Sequence, residues 1–354
     1  MSSEVLSNLL LEYDQKKRNA ELALEQRKNE LYTKFPRLQE IETELNYVAI
    51  NTAKSILNGN SSSLNDLNLR VSELKAEKEK ILKINNISTD YLQPYYDCHI
   101  CKDTGYIKVE NTASNLCSCL KQKLLDISYN KSNISNLSKE NFETFDFNIF
   151  SDKSEPEKYG INLSPRQNML TIKSKCIEFV ENFDNPDTHN LLFTGNTGLG
   201  KTFMSNCIAN ELIKKGKNVL YQTAPVLLET VIDNKMNKYK TSTQNDFYKN
   251  VLEADLLIID DLGTECLNSM KLSELFTILN TRLLNLNNKV IKTIISTNLN
   301  INNIFKNYEE RIGSRIAGFY DIYYFFGDDL RFKQKRIWVI IKKKWKIHFF
   351  FSYY

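Results

Sequence analysis

Eight consecutive residues, Gly195, Asn196, Thr197, Gly198, Leu199, Gly200, Lys201 and Thr202, fit the pattern G-x-x-x-x-G-K-[ST] in full. Residues of these types at this spacing bind the phosphates of a nucleoside triphosphate. The glycines let the backbone curl until several N–H groups point at phosphate oxygens. The helix expected to start there adds the positive end of its dipole. Lys201 places a point charge on the β- and γ-phosphates, and the Thr202 hydroxyl is a magnesium ligand. Phe203 follows directly and completes the nucleotide-contacting set. A second constellation is Leu256-Leu257-Ile258-Ile259-Asp260-Asp261. Four apolar residues make a buried parallel strand, and its carboxyl end opens on the crevice where α/β sheets bind ligands. Asp260 is expected to hold magnesium, directly or through water, and Asp261 to orient or deprotonate the attacking water. Many P-loop ATPases carry glutamate at the second position. Aspartate is one methylene shorter, which implies hydrolysis that is slow or needs help from a partner subunit.

Further polar residues are candidates for the same site. Ser296, Thr297 and Asn298 end another apolar segment, and Asn298 is placed to reach the γ-phosphate or the attacking water. Arg311 and Arg315 stand at i, i+4 and share one helix face. An arginine offered by a neighbouring subunit stabilises charge developing on a γ-phosphate. Arg331 is expected to reach the nucleotide within its own chain.

Four of the seven cysteines lie within 22 residues, as Cys98-x2-Cys101 and Cys117-x-Cys119. Four thiolates suit tetrahedral zinc in a structural role; free structural thiols and an iron–sulfur cluster are the other readings. Cys176, Cys207 and Cys266 are scattered and read as small core residues. The odd count argues against a disulfide framework.

The elements that position these groups are read from pattern. Residues 1–90 are nearly free of Gly and Pro and read as a helical or coiled-coil, partner-binding region. Its helices run to Pro36, from about Arg37 to Leu57, and from about Leu64 to Ile84 with Leu67, Val71, Leu74, Lys78 and Ile81 as one stripe. A loop is expected at Gly59–Ser63. Residues 91–127 form the zinc-binding module. Residues 128–164 are a linker whose Phe142, Phe145, Phe147 and Phe150 anchor it to the next domain. From 165 to 336 helices alternate with strands at Asn190–Thr194, Asn218–Gln222, Leu256–Asp260, Thr293–Ser296 and Tyr320–Phe326, the pattern of an α/β domain with a parallel sheet. Residues 337–354 are an atypical tail.

Composition sets limits. The formal charge of +4 misleads, because residues 331–354 carry eight basic residues and no acid, while the rest holds 39 basic against 43 acidic residues. A uniformly basic nucleic-acid surface is not supported, although Lys214, Lys215 and Lys217 form a local patch. No stretch approaches the roughly 20 apolar residues of a membrane span, and no signal peptide is read. The expectation is a cytoplasmic protein with no membrane partner.

The phosphate loop, IIDDLGTE from Ile258, ISTN from Ile295, ERIGSRI from Glu310 and GDDLR from Gly327 together resemble the DnaC/DnaI helicase-loader family of AAA+ ATPases. CHICKDTGYI and CSCLKQK resemble that family's amino-terminal zinc module. The resemblance covers roughly residues 90 to 336. It implies an ATP-dependent loader that places a hexameric replicative DNA helicase on single-stranded DNA, acting as an ATP-dependent homo-oligomer. By matching positions it makes Asn298 sensor 1, Arg315 the arginine finger and Arg331 sensor 2, with Arg311 a weaker finger candidate. Two other readings stand beside it: a transposition helper resembling IstB, and an ATP-binding adaptor with negligible hydrolysis.

Overall fold

The computed structural model describes residues 3–57, 64–107, 115–127, 140–236, 242–284 and 289–331. The loop expected at Gly59–Ser63, the first part of the linker and the atypical tail lie outside the described residues. The chain divides into two compact units, one from Leu6 to Cys117 and one that runs on from Ser118.

The first unit is helical. Helix α1 is Ser3–Lys34, α2 is Pro36–Leu57 and α3 is Leu64–Ile84. Pro36 opens α2 instead of standing before it, as its missing N–H costs nothing in a first turn. Helices α2 and α3 run antiparallel, with Arg37 Nε 2.8 Å from Glu77, Lys78 Nζ 2.8 Å from Glu42 and Arg70 Nη2 2.7 Å from Glu44. Ion pairs this exposed add little; a small core of Leu31, Leu38, Leu82 and Leu92 does more to hold the unit. Strands β1 (Tyr106–Ile107) and β2 (Asn115–Leu116) pair antiparallel beside the cysteines.

The second unit is a five-stranded parallel sheet covered on both faces. Its helices are α4 (Ser118–Leu125), α5 (Pro156–Tyr159), α6 (Pro165–Glu181), α7 (Lys201–Lys214), α8 (Ala224–Met236), α9 (Ser242–Glu253), α10 (Ser269–Leu284), α11 (Ile301–Asn307) and α12 (Glu309–Phe319). Its strands are β3 (Asn190–Gly195), β4 (Val219–Thr223), β5 (Leu256–Leu262), β6 (Lys292–Thr297) and β7 (Tyr320–Phe325), in the order β4-β5-β6-β3-β7. Alternate residues face opposite cores. Leu191, Phe193, Leu256, Ile258 and Ile294 pack with α6 and α7, while Leu192, Leu257, Ile259 and Ile295 pack with α8, α10 and α12.

Two local devices hold this unit together. Phe145 and Phe150 are buried against α6 and α7, with Phe142 and Phe147 packed beside them, so the segment 140–151 straps the first core. At the edge strand β4 the Gln122 side chain of α4 accepts from Val219 N (2.7 Å) and donates to Val219 O (3.1 Å). That pairing covers backbone groups a bare sheet edge would expose. Among the described residues, no helix is long and apolar enough to cross a membrane.

Candidate nucleotide and metal sites

The segment 195–202 leaves β3 and enters α7, as the motif requires. Gly195 and Gly198 have φ of 137° and 74°. A Cβ on Gly195 would lie 2.0 Å from Phe325 O, and one on Gly198 would lie 2.0 Å from Asp329 Oδ1. At Gly195 a side chain would run into main chain that cannot give way, and at Gly198 it would have to displace the Asp329 carboxylate and hold a left-handed φ. Leu330 N donates to Gly198 O at 3.0 Å, which docks the GDDLR segment on the loop.

The Lys201 ammonium is buried in this turn. It donates to Gly195 O (2.5 Å), Asn196 O (2.7 Å) and Asn298 Oδ1 (2.8 Å). Strand order explains how Asn298 arrives: β6 lies beside β3, with Thr194 and Thr297 in register. Asp260 is buried, and its carboxylate is saturated. Oδ2 accepts from the Thr202 hydroxyl at 3.0 Å and from the Tyr221 hydroxyl. Oδ1 accepts from the Ser296 hydroxyl and from Asp261 N at 3.0 Å. The sequence expectation missed both Tyr221 and Ser296 as partners of Asp260.

Asp261 sits in a bulge. The pairing of β5 with β6 shifts register between Ile259 and Leu262, and Asp261 has φ of 55°. Aspartate tolerates this left-handed conformation better than most residues, and a bulge re-aims the side chain it carries. Burial raises the Asp261 pKa, and the neighbouring Asp260 charge raises it further; Lys201 and Arg331 act against this. A base with a raised pKa is better matched to proton transfer near neutrality.

Burial also lowers Lys201 to about 8, with the two aspartates opposing the shift. ATP phosphates favour the charged lysine. Below pH 8 the ammonium is already protonated; above it, binding has to take up a proton. ATP affinity is therefore expected to fall as pH rises through about 8. Calorimetry in two buffers of different ionisation enthalpy should record proton uptake above that pH, and a flat affinity from pH 7 to 9.5 (roughly the span of one such titration) would refute the assignment.

The arginines separate into two places. Arg331 acts electrostatically on both Lys201 and Asp261. Arg315 is held on α12 by Asn280 Oδ1 (2.8 Å) and Arg311 O (3.0 Å), with its guanidinium 4.4 Å from the Phe276 ring centroid. Arg311 lies 4.5 Å from the same ring and pairs with Glu309 at 2.8 Å. None of these partners belongs to the phosphate loop. The basic patch is also engaged: Lys214 pairs with Glu211, Lys215 donates to Val180 O and Lys217 pairs with Asp184.

Of the three scattered cysteines, Cys176 and Cys207 are buried, whereas Cys266 is exposed and is not a core residue; the other four are drawn together. The four Sγ atoms of Cys98, Cys101, Cys117 and Cys119 lie within 4.8 Å of one another. A tetrahedral zinc with bonds of about 2.3 Å needs sulfurs about 3.8 Å apart, and Cys98 and Cys117 are at 3.9 Å. The donor set fits that ion. The turn is shaped by Lys102 and Asp103, both with left-handed φ. Asp103 accepts from Asp97 N (2.9 Å) and Cys98 N (2.8 Å), and Gly105 N reaches Cys101 Sγ at 3.4 Å. Such outer contacts orient metal ligands.

Several known proteins are similar to parts of the chain. Residues 157–311 match the model of the IstB-like ATP binding protein family. The chain is 29% identical over 109 residues to the replicative helicase loader DnaC of Escherichia coli, a match covering 31% of this chain and 42% of the relative. It is 39% identical over 72 residues to the chromosomal replication initiator protein DnaA of Helicobacter hepaticus, covering 20% of this chain and 15% of that one. The chain thus spans under half the length of the curated relatives it matches. A crystal structure of the DnaC helicase loader aligns at 22% identity and TM-score 0.42, over 54% of this chain and 99% of the other.

Proposed function

For a chain of the AAA+ ATPase superfamily that holds DnaC, DnaI, DnaA and IstB, we propose that it is an ATP-dependent loader of a replicative DNA helicase onto single-stranded DNA in the cytoplasm. The supporting observation is the four-thiol cluster standing upstream of a phosphate loop in one chain. IstB-like helpers resemble the ATPase core but usually lack such a module.

In this reading residues 165–336 act as the ATPase domain. The backbone of Gly195 to Gly200 and the Lys201 ammonium hold the β- and γ-phosphates. Thr202 and Asp260 are the groups placed to hold magnesium, which neutralises phosphate charge when bound with ATP. Asp261 orients the attacking water and accepts its proton. Asn298 positions Lys201 against the γ-phosphate, and Arg331 reads the nucleotide from its own chain. Arg315 serves the site of a neighbouring copy. The thiol cluster holds zinc as a structural staple, and the helical residues 1–90 contact the helicase.

The second reading, a transposition helper, draws on the family model matched by residues 157–311. One experiment separates the two. The full chain is mixed with the replicative helicase of its host, ATP and circular single-stranded DNA. The expected result is a stable complex with the helicase and helicase bound to the circle only when ATP is present. Absence of both, with the chain folded and binding ATP, would sink the loader reading and leave the helper.

A further inference from the structure

Tyr221 lies in the middle of β4, 2% exposed. It pairs in register with Ile258 of β5. Asp260, two residues further along β5, is therefore its diagonal neighbour on the same face, within reach of a long side chain. The Tyr221 hydroxyl donates to Asp260 Oδ2, the same oxygen that takes the Thr202 hydroxyl at 3.0 Å. The opposite oxygen is fixed by Ser296 and by Asp261 N. An ionised carboxylate offers about four acceptor positions; Tyr221, Ser296 and Asp261 N hold three, and the fourth takes the Thr202 hydroxyl, the group that would turn to the metal and free that position. A buried tyrosine needs some acceptor for its hydroxyl, and a main-chain carbonyl would serve. This hydroxyl is instead given to the carboxylate that faces the phosphate loop.

We propose that Tyr221 is a positioning residue for the metal chemistry of this site: its hydroxyl, with Ser296 opposite, fixes the rotation of the Asp260 carboxylate so that its Thr202-facing edge is presented to magnesium–ATP. The inference rests on reading 195–202 and Asp260 as a magnesium–ATP site. Tyr221 itself touches no phosphate. Its hydroxyl acts on Asp260 and also meets the Thr202 hydroxyl, both on the magnesium side of the site, and so it governs how much magnesium strengthens nucleotide binding, not how the bare phosphates are held by Lys201.

The test is Tyr221→Phe, which keeps the ring and removes one donor. A fluorescent, non-hydrolysable ATP analogue is titrated with and without magnesium, and the melting temperature of each protein is recorded. The expected result is an unchanged metal-free Kd, a tightening by magnesium that is about tenfold smaller than in the wild type, as loss of one charge-assisted hydrogen bond allows, and a melting temperature lower by roughly a few degrees, because one buried acceptor is left unpaired. Ser296→Ala should show the same pattern from the other side of the carboxylate. Equal tightening in Tyr221→Phe and wild type overturns the inference and leaves the site reading intact. A parallel loss of metal-free and metal-bound affinity overturns it too, because tyrosine would then serve packing alone. Absence of any magnesium effect in the wild type overturns the site reading and the inference together.

Discussion

Arg315→Ala and Lys201→Ala chains are each expected to lack ATP turnover, and an equimolar mixture of the two is expected to regain it. Lys201 is buried in its own phosphate loop and reaches Gly195 O, Asn196 O and Asn298. In the proposed site its loss is expected to remove the charge offered to the β- and γ-phosphates inside one chain. Arg315 is anchored to Asn280, to Arg311 O and over Phe276, and Arg331 is the arginine whose charge acts on Lys201 and Asp261. Arg315→Ala should therefore bind ATP nearly as the wild type does, while turnover falls by about 10³-fold or more, the scale of a missing arginine finger. In randomly mixed assemblies about a quarter of the interfaces join an intact Lys201 to an intact Arg315, if the interface is head-to-tail. Turnover near a quarter of wild type would support action across subunits. No recovery, with co-assembly demonstrated by mass or cross-linking, would place Arg315 in service of its own chain.

Cys98→Ser with Cys101→Ser is expected to remove the metal and most of the order around it. The wild-type chain should carry about one zinc, the stoichiometry of one four-thiolate set. β1 and β2 are only two residues each, so the strands by themselves hold little of this segment. Structural zinc contributes about 10–16 kcal/mol in small modules, far beyond what two short strands supply. Proteolysis should then cut near residues 98–119 in the variant while ATP binding persists. Zinc-free protein from a chelator-free preparation would refute the assignment. A coloured protein with charge-transfer bands would point to an iron–sulfur cluster instead.

Pattern carried much of the ATPase fold. Leu256 to Ile259 is a run of four apolar residues, and all are buried in a parallel strand. The phosphate loop stood out because glycine is tied to backbone conformation, and Gly195 and Gly198 do occupy the positive-φ region. What pattern did not carry is register. Tyr221 belongs with Asp260 only because β4 pairs it with Ile258, and no spacing within one strand states its alignment with the next. The end of β5 was hidden for a related reason: the strand continues to Leu262 through a bulge at Asp261, a backbone event that the residue types do not announce. Arg282 was unreadable as well. It is buried and donates to Val251 O, Leu252 O, Ala254 O, Lys292 O and Thr293, so a charged side chain occupies a place where hydropathy expects an apolar one.

The strand order also sets a timetable for folding. β3 bears the phosphate loop, yet its sheet neighbours are β6 and β7, about a hundred residues or more downstream. β4, the next strand made, pairs only with β5. As the chain leaves the ribosome, Asn190–Gly195 therefore waits without a partner while β4 and β5 can already join. Long-range parallel pairing of this kind is slow and leaves apolar strands open to misassociation. Leu191, Leu192 and Phe193 are the segment at risk in that interval. The turn at 195–202 therefore leaves a strand that gains both of its sheet neighbours only after Phe325 has been made.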